Sequence, residues 1–225
     1  MDAPLIRHLG LVGYEETWRA MQSFTERRGP ETPDELWVLE HPPVYTVGVA
    51  GRPEHFPQTN SAIPVVRVDR GGQITYHGPG QAVVYTLIDL ARRSIKVRQM
   101  VSVIEQSVID LLAIHDVEGV AKPGAPGIYI PQVGGAKIAA LGLRIKKGSC
   151  FHGVSLNVDA DLGPFLDIDP CGYPGLAVTR CADLGIAGDA MSLGDALARL
   201  IGEKIASQPL LNRSPIRKPV HDAPR

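Results

Sequence analysis

Three stretches of the chain repeat their apolar residues every three or four positions, the spacing that places side chains on one face of an α-helix. In "YEETWRAMQSFTERR" Tyr14, Trp18 and Met21 share a face, and Gly29-Pro30 ends the pattern. The strongest periodicity is "VRQMVSVIEQSVIDLLAIHD", with Val97, Met100, Val101, Ile104, Val108, Leu111 and Leu112 in register. A third helix is expected in "SLGDALARLIGEKIA", where Ser192 and Asp195 have capping-box-like spacing and Leu197, Leu200, Ile201 and Ile205 align. Between these lie short β-type runs bounded by Gly and Pro: "ELWVLEH", "VYTVGV", "PVVRVD", "AVVYTLIDL", "GIYI", "KIAALGLRI" and "FHGVSLNV". The connections among the last three are too short for crossover helices, which favours antiparallel neighbours. Strands cluster rather than alternate with helices, so the expected class is α+β: one domain over residues 1–207 with a largely antiparallel mixed sheet flanked by helices. Residues 208–225 form a Pro-rich, polar tail expected to be poorly ordered.

Composition narrows the function. A net charge of -1 gives no basic footprint, which argues against nucleic-acid binding. No run of 18 apolar residues is present, so no membrane span is expected. Three cysteines do not make a disulfide framework, and a cytoplasmic protein with reduced thiols is the expectation.

The candidate chemistry sits in glycine-rich stretches. In "RGGQITYHGPGQ", bare main chain that can approach a ligand closely flanks His77. Cys171, in "DIDPCGYPG", occupies a turn that can expose a thiol, although a free Cys more often packs as a small hydrophobe. Cys150 stands two residues from His152, and Cys181 reads as a packing residue. Lys137, in "GGAKIAALG", heads an apolar strand, where partial desolvation favours a basic role; the plainer reading is a snorkelling surface lysine. His77 and His152 are the other candidate bases. No zinc-type spacing occurs, the glycine loop is neither a P-loop nor a dinucleotide fingerprint, and the tripeptide at Gly71 to Gln73 is too short to indicate a peptide-release factor.

Taken together and in order, "RGGQITYHGPGQAVVY", "GGAKIAALGLRI", "FHGVSLNV" and "DPCG" resemble the lipoyl(octanoyl) transferases, over a span from about "HPPVYTVG" at 41–48 to Gly172. The resemblance implies a biotin/lipoate protein ligase-like fold and a catalytic acyltransferase domain. It implies transfer of an octanoyl or lipoyl group from octanoyl-acyl carrier protein, the donor, without a cofactor or metal. The implied acceptors are lysines of the lipoyl domains of 2-oxoacid dehydrogenase complexes and of the glycine-cleavage carrier protein. By the same resemblance Cys171 accepts the acyl group and Lys137 lowers the thiol's pKa. The acyl-pocket segments fall on Arg70, Gly71, Gly72, Gln73, Ile74, Thr75, Tyr76 and His77, on Ala140, Leu141 and Gly142, and on Gly153, Val154 and Ser155. Ser155 stands where the family pattern has alanine. Ile74, Tyr76, Val83, Ala140 and Leu141 are expected to wall an acyl tunnel, with His77 at its mouth. The Gly71, Gly72 and Gly172 N–H groups are candidate oxyanion donors. "RIKKG" and "RRSIKVR" are candidate basic patches for an acidic carrier. Two rivals are an ATP-dependent lipoate or biotin ligase, which shares the fold but needs no acyl-cysteine, and a non-catalytic binder of an acylated carrier, which needs neither Cys171 nor Lys137.

Overall fold

The computed structural model describes residues 2–57 and 62–207, with only the main chain described at Cys171. The expected tail, 208–225, lies outside the described residues. Among the described residues, ten strands and four helices follow in chain order: β1 Leu5–Leu11, α1 Tyr14–Arg27, β2 Glu35–Glu40, β3 Val44–Val47, β4 Val65–Arg67, β5 Ile74–His77, β6 Gln81–Asp89, α2 Leu90–Arg93, α3 Val97–Ala113, β7 Val120–Lys122, β8 Ala125–Ile130, β9 Ala136–Lys146, β10 Ser149–Asn157 and α4 Ala190–Ser207.

The strands form a seven-stranded sheet, β1-β2-β6-β10-β9-β8-β7, and a three-stranded sheet, β4-β3-β5. In the larger sheet only β1 and β2 run parallel; the other neighbours are antiparallel, β8, β9 and β10 among them, as their short connections require. This is the expected α+β class.

Strand periodicity divides the core. Along β6, Ala82, Val84 and Ile88 face the main core, where Met100, Ile104 and Val108 of α3 and Leu197 and Ile201 of α4 cover the sheet. The alternate residues Val83, Tyr85 and Leu87 face the opposite side and meet Met21 of α1, Trp37 and Phe151. The small sheet has its own cluster of Tyr45, Val47, Ile74, Tyr76, Phe165 and Ile168.

Three strands depart from the sequence reading. β1 is mostly exposed and lacks a clean apolar alternation; it is held by main-chain pairing to β2. β7 is three residues long, and β5 emerges from a segment that reads as a loop because of its glycines. The start of α4 also moves. Asp189 and Ser192 form the reciprocal cap, with Ser192 N–H on Asp189 Oδ1 at 2.7 Å and Asp189 N–H on Ser192 Oγ at 3.1 Å. Asp195 instead pairs with His8 and Arg199. Among the described residues, no helix is long and apolar enough to cross a membrane.

Candidate active site

Between the two sheets, and around β9, lies a cavity of about 450 Å³, a volume in the range of small-molecule sites. Its floor is β6, β9 and β10, through Val83, Tyr85, Ala140, Leu141, Gly142, Gly153, Val154 and Ser155. Its roof is the glycine loop and β5, through Arg70, Gly71, Gly72, Gln73, Ile74, Thr75 and His77. Lys137 stands in the wall. Thirteen of the pocket positions named by resemblance thus meet in one place, although they come from three separated segments. Tyr76 is the correction. Successive β5 side chains alternate, so Thr75 and His77 face the cavity while Tyr76 turns into the small-sheet cluster against Tyr45 and Phe165.

The bare main chain of residues 70–73 lets three backbones approach. Gly71 N–H donates to Leu143 O at 3.0 Å, while Arg70, Gly72 and Gln73 carbonyls accept from Val49, Ala50 and Gly48. Gly71 N–H is therefore already committed, and Gly172 N–H likewise donates to Asp169 O at 2.9 Å. Both are set aside as oxyanion donors.

Lys137 is not a surface lysine: it is 4% exposed. Its Nζ lies 5.2 Å from the centre of the Tyr129 ring. Gly127, at φ +128°, makes room for it, since a Cβ there would sit 2.4 Å from Lys137 Cε. The Pro170–Gly172 main chain forms a single 3₁₀ turn. Its two ends are tied down. On the incoming side His55 Nδ1 meets Asp169 Oδ2 at 2.9 Å, and Asp169 N–H donates to His55 O. On the outgoing side Lys137 N–H donates to Ala177 O at 2.8 Å, and Thr179 N–H donates to Lys137 O at 3.0 Å. The segment carrying Cys171 thus returns to pair with the strand carrying Lys137. Gly172, at φ +75°, closes against Gln73, whose amide nitrogen a Cβ would approach to 2.4 Å.

Burial keeps the imidazoles and the Tyr14 phenol of the inner wall neutral, beside the buried Arg70 and the ionised Asp69. Burial, reinforced by the neighbouring His41, pushes His77 down to about 3, and burial pushes His41 down to about 4. Burial likewise lowers His152, against the opposing pull of Asp69, and raises Tyr14 to about 12. Burial opposes ionisation of Asp69, but hydrogen bonds from His152, Trp18 and Gln22 outweigh it and hold its pKa at about 2. Both nitrogens of His77 are engaged, Nδ1 with Gln81 at 2.6 Å and Nε2 with Thr46 at 3.3 Å, so it has the geometry of a satisfied wall residue. His152 is placed by its backbone. At φ +63° in mid-strand it breaks the β10 alternation, so its ring stacks on Phe151, 5.1 Å away, and reaches Asp69 at 3.1 Å.

The depressed histidines carry a pH consequence. In the unfolded chain they titrate near 6.5. Below that pH the unfolded state binds more protons than the native state. Their contribution is therefore complete above about pH 6.5 and is lost as pH falls towards about 4 for His41 and about 3 for His77. The urea midpoint is expected to fall steadily from pH 6.5 to 4, with a shallower slope in His41→Gln. The difference should approach about 1.4 kcal/mol per pH unit, the value for one proton. An unchanged slope in the variant would refute the assignment.

The other thiols are packing groups: burial pushes Cys150 up to about 11 and Cys181 up to about 12. The basic patches change on inspection. Arg93 is buried and, with Arg92, held on Asp34, so "RRSIKVR" is half structural. Lys146 and Lys147 both pair with Glu26.

Several wall residues escaped the sequence reading. Val97 and Val101 belong to the periodic stripe of α3, yet both line the cavity, and Val97 is 43% exposed. The stripe was wider than the core needed, and that excess was the available signal. Tyr14, Tyr173 and the turn at 124–126 complete the lining without a local motif, whereas Tyr85, Leu143 and His152 join it from the quoted motifs, His152 being one of the candidate bases.

The family model "Lipoyl protein ligase A/B catalytic domain" matches residues 13–194. The octanoyltransferase of Aromatoleum aromaticum is 57% identical over 203 residues, covering 88% of this chain and 86% of its own. That of Laribacter hongkongensis is 58% identical over 201 residues, covering 89% and 95%. Among solved structures, a bipartite lipoate protein ligase from Thermoplasma acidophilum superposes with a TM-score of 0.72 at 17% identity, covering 92% of this chain and 84% of that one. The last similarity concerns the fold.

Proposed function

The chain belongs to the lipoyl protein ligase A/B catalytic-domain family, and we propose that it is an octanoyltransferase of protein lipoylation. The donor is the octanoyl thioester of an acyl carrier protein, and the acceptor is a lysine of a lipoyl domain in a 2-oxoacid dehydrogenase complex or the glycine-cleavage carrier, in the cytoplasm. The observation that carries this reading is the return of the Cys171 segment to the Lys137 strand at the wall of an apolar-floored cavity.

The Cys171 thiolate attacks the donor carbonyl, the carrier leaves as its thiolate and takes up the proton of the Lys137 ammonium, and an octanoyl-Cys171 thioester remains beside a neutral Lys137. The acceptor amine then attacks that thioester, Cys171 leaves, and the amine's proton passes to the site's base as the amide forms. Lys137 serves both halves: as an ammonium it favours the thiolate, and as an amine it accepts the incoming proton. Gly72 is retained as an oxyanion donor. Val83, Leu141 and Val154 desolvate the alkyl chain, which at about 0.8 kcal/mol per CH₂ contributes roughly 5 kcal/mol.

Incubation with octanoyl-carrier protein and an unmodified lipoyl domain is expected to give octanoyl-lysine without ATP, detected by intact-protein mass spectrometry. Product only from free octanoate and ATP would assign the chain to the ligases instead.

A further inference from the structure

We infer that Asn157, at the end of β10, is a positioning residue for the Cys171–Lys137 pair, acting through a buried hydrogen-bond chain that begins at Arg70. The inference rests on the proposed transfer mechanism for its consequence and on geometry for its existence.

The chain crosses both sheets. Arg70 Nη2 donates to Thr46 Oγ1 at 2.8 Å, and Thr46 meets His77 Nε2 at 3.3 Å. His77 Nδ1 meets Gln81 Oε1 at 2.6 Å, Gln81 Nε2 donates to Asn157 Oδ1 at 2.8 Å, and Asn157 Nδ2 donates to Thr179 O at 3.0 Å. All five side chains are buried.

Two backbone carbonyls force the direction of every link. Thr179 O can only accept, so the Asn157 atom facing it is the NH₂ group and its oxygen faces Gln81. Gln81 Nε2 also donates to Tyr76 O at 3.2 Å, another pure acceptor, so Gln81 Oε1 must face His77. His77 therefore carries its proton on Nδ1 and presents Nε2 as an acceptor. The Thr46 hydroxyl, itself an acceptor from Arg70, gives its proton to Nε2. Donation thus runs one way from Arg70 to Thr179, and each side chain fits only in the state its neighbours dictate.

The far end of the chain explains the placement. Thr179 is the residue whose N–H bonds Lys137 O, and it closes the segment that begins at the Cys171 turn. Asn157 therefore holds the return limb of the nucleophile's segment at the carbonyl of the residue whose N–H bonds Lys137 O. Without that bond the limb keeps its covalent path and its two main-chain bonds to Lys137 but loses the side-chain anchor that fixes their position. A displacement of about 1 Å between reacting groups costs on the order of a hundredfold in rate.

The test is Asn157→Leu, with two readouts. The turnover rate with octanoyl-carrier protein is expected to fall about ten- to a hundredfold with KM for the donor within about twofold. The midpoint of the pH dependence of iodoacetamide labelling at Cys171 is expected to rise by about one unit, since a displaced ammonium favours the thiolate less. A purely structural role would lower the melting temperature and leave the labelling midpoint of the folded protein unmoved. Asn157→Asp repeats both measurements should the leucine variant not fold; it keeps an acceptor for Gln81 and removes the donor to Thr179. A folded variant with wild-type turnover and labelling midpoint overturns the inference. Labelling requires no acyl donor, so a wild-type enzyme inactive with the carrier would refute the transferase reading while this readout still decides the role of Asn157.

Discussion

Cys171→Ala is expected to abolish the hydroxylamine-labile octanoyl adduct and to slow octanoyl transfer at least about a thousandfold. The magnitude follows from what the substitution removes. Uncatalysed aminolysis of a thioester by a lysine is available in the same cavity, so proximity alone retains some rate. What is lost is the division of one difficult transfer into two exchanges, each with an activated group. Melting temperature should change little, because residue 171 sits in a single 3₁₀ turn whose ends are held by Asp169, Ala177 and Thr179. The measurement is mass spectrometry of the acyl-enzyme alongside the rate of octanoyl-lysine formation. Transfer within about tenfold of wild type would mean that the amine attacks the carrier thioester directly, and the nucleophile assignment would fall.

The second large effect is on stability. Asp34 has no side-chain exposure, and its carboxylate receives Arg28, Arg92 and Arg93 while also accepting Asp89 N–H at 2.8 Å. Two of these guanidiniums, those of Arg28 and Arg93, are themselves buried, 5% and 7% exposed. The cluster fastens the segment before β2 to the short helix α2. Asp34→Ala would leave buried positive charge facing positive charge. Breaking such a pair from one side costs about 3–5 kcal/mol, because the remaining charges are not resolvated. For a domain of this size each kcal/mol shifts the midpoint by about 2–4 °C, so a fall of roughly 10 °C is expected. Urea unfolding and thermal melts would both report it. A loss below about 1 kcal/mol would show that the arginines swing out to water. Replacing the exposed Glu15, whose partner Arg19 lies in solvent, is the contrasting control.

Helices α1, α3 and α4 and the central strands were legible in the sequence because each buries a continuous stripe or an alternating face, and burial is written locally as periodicity; the single turn of α2 was not. β1, β5 and β7 were not legible: β1 and β7 are held by main-chain pairing, and the 4 residues of β5, set among glycines, are too few to show an alternation. The motifs of the candidate site were legible as residue types: glycines where backbones must meet, a thiol in a turn, a lysine heading an apolar strand. Their assembly was not. Only the tertiary structure decided that Thr75 and not Tyr76 faces the cavity, that Gly71 N–H is committed to Leu143, and that Asn157 reaches the segment beside Lys137. The division has a physical cause. The pattern along a chain records which side of an element is dry, whereas a site depends on groups distant in sequence converging at hydrogen-bond distance, and strand register and loop closure determine that convergence.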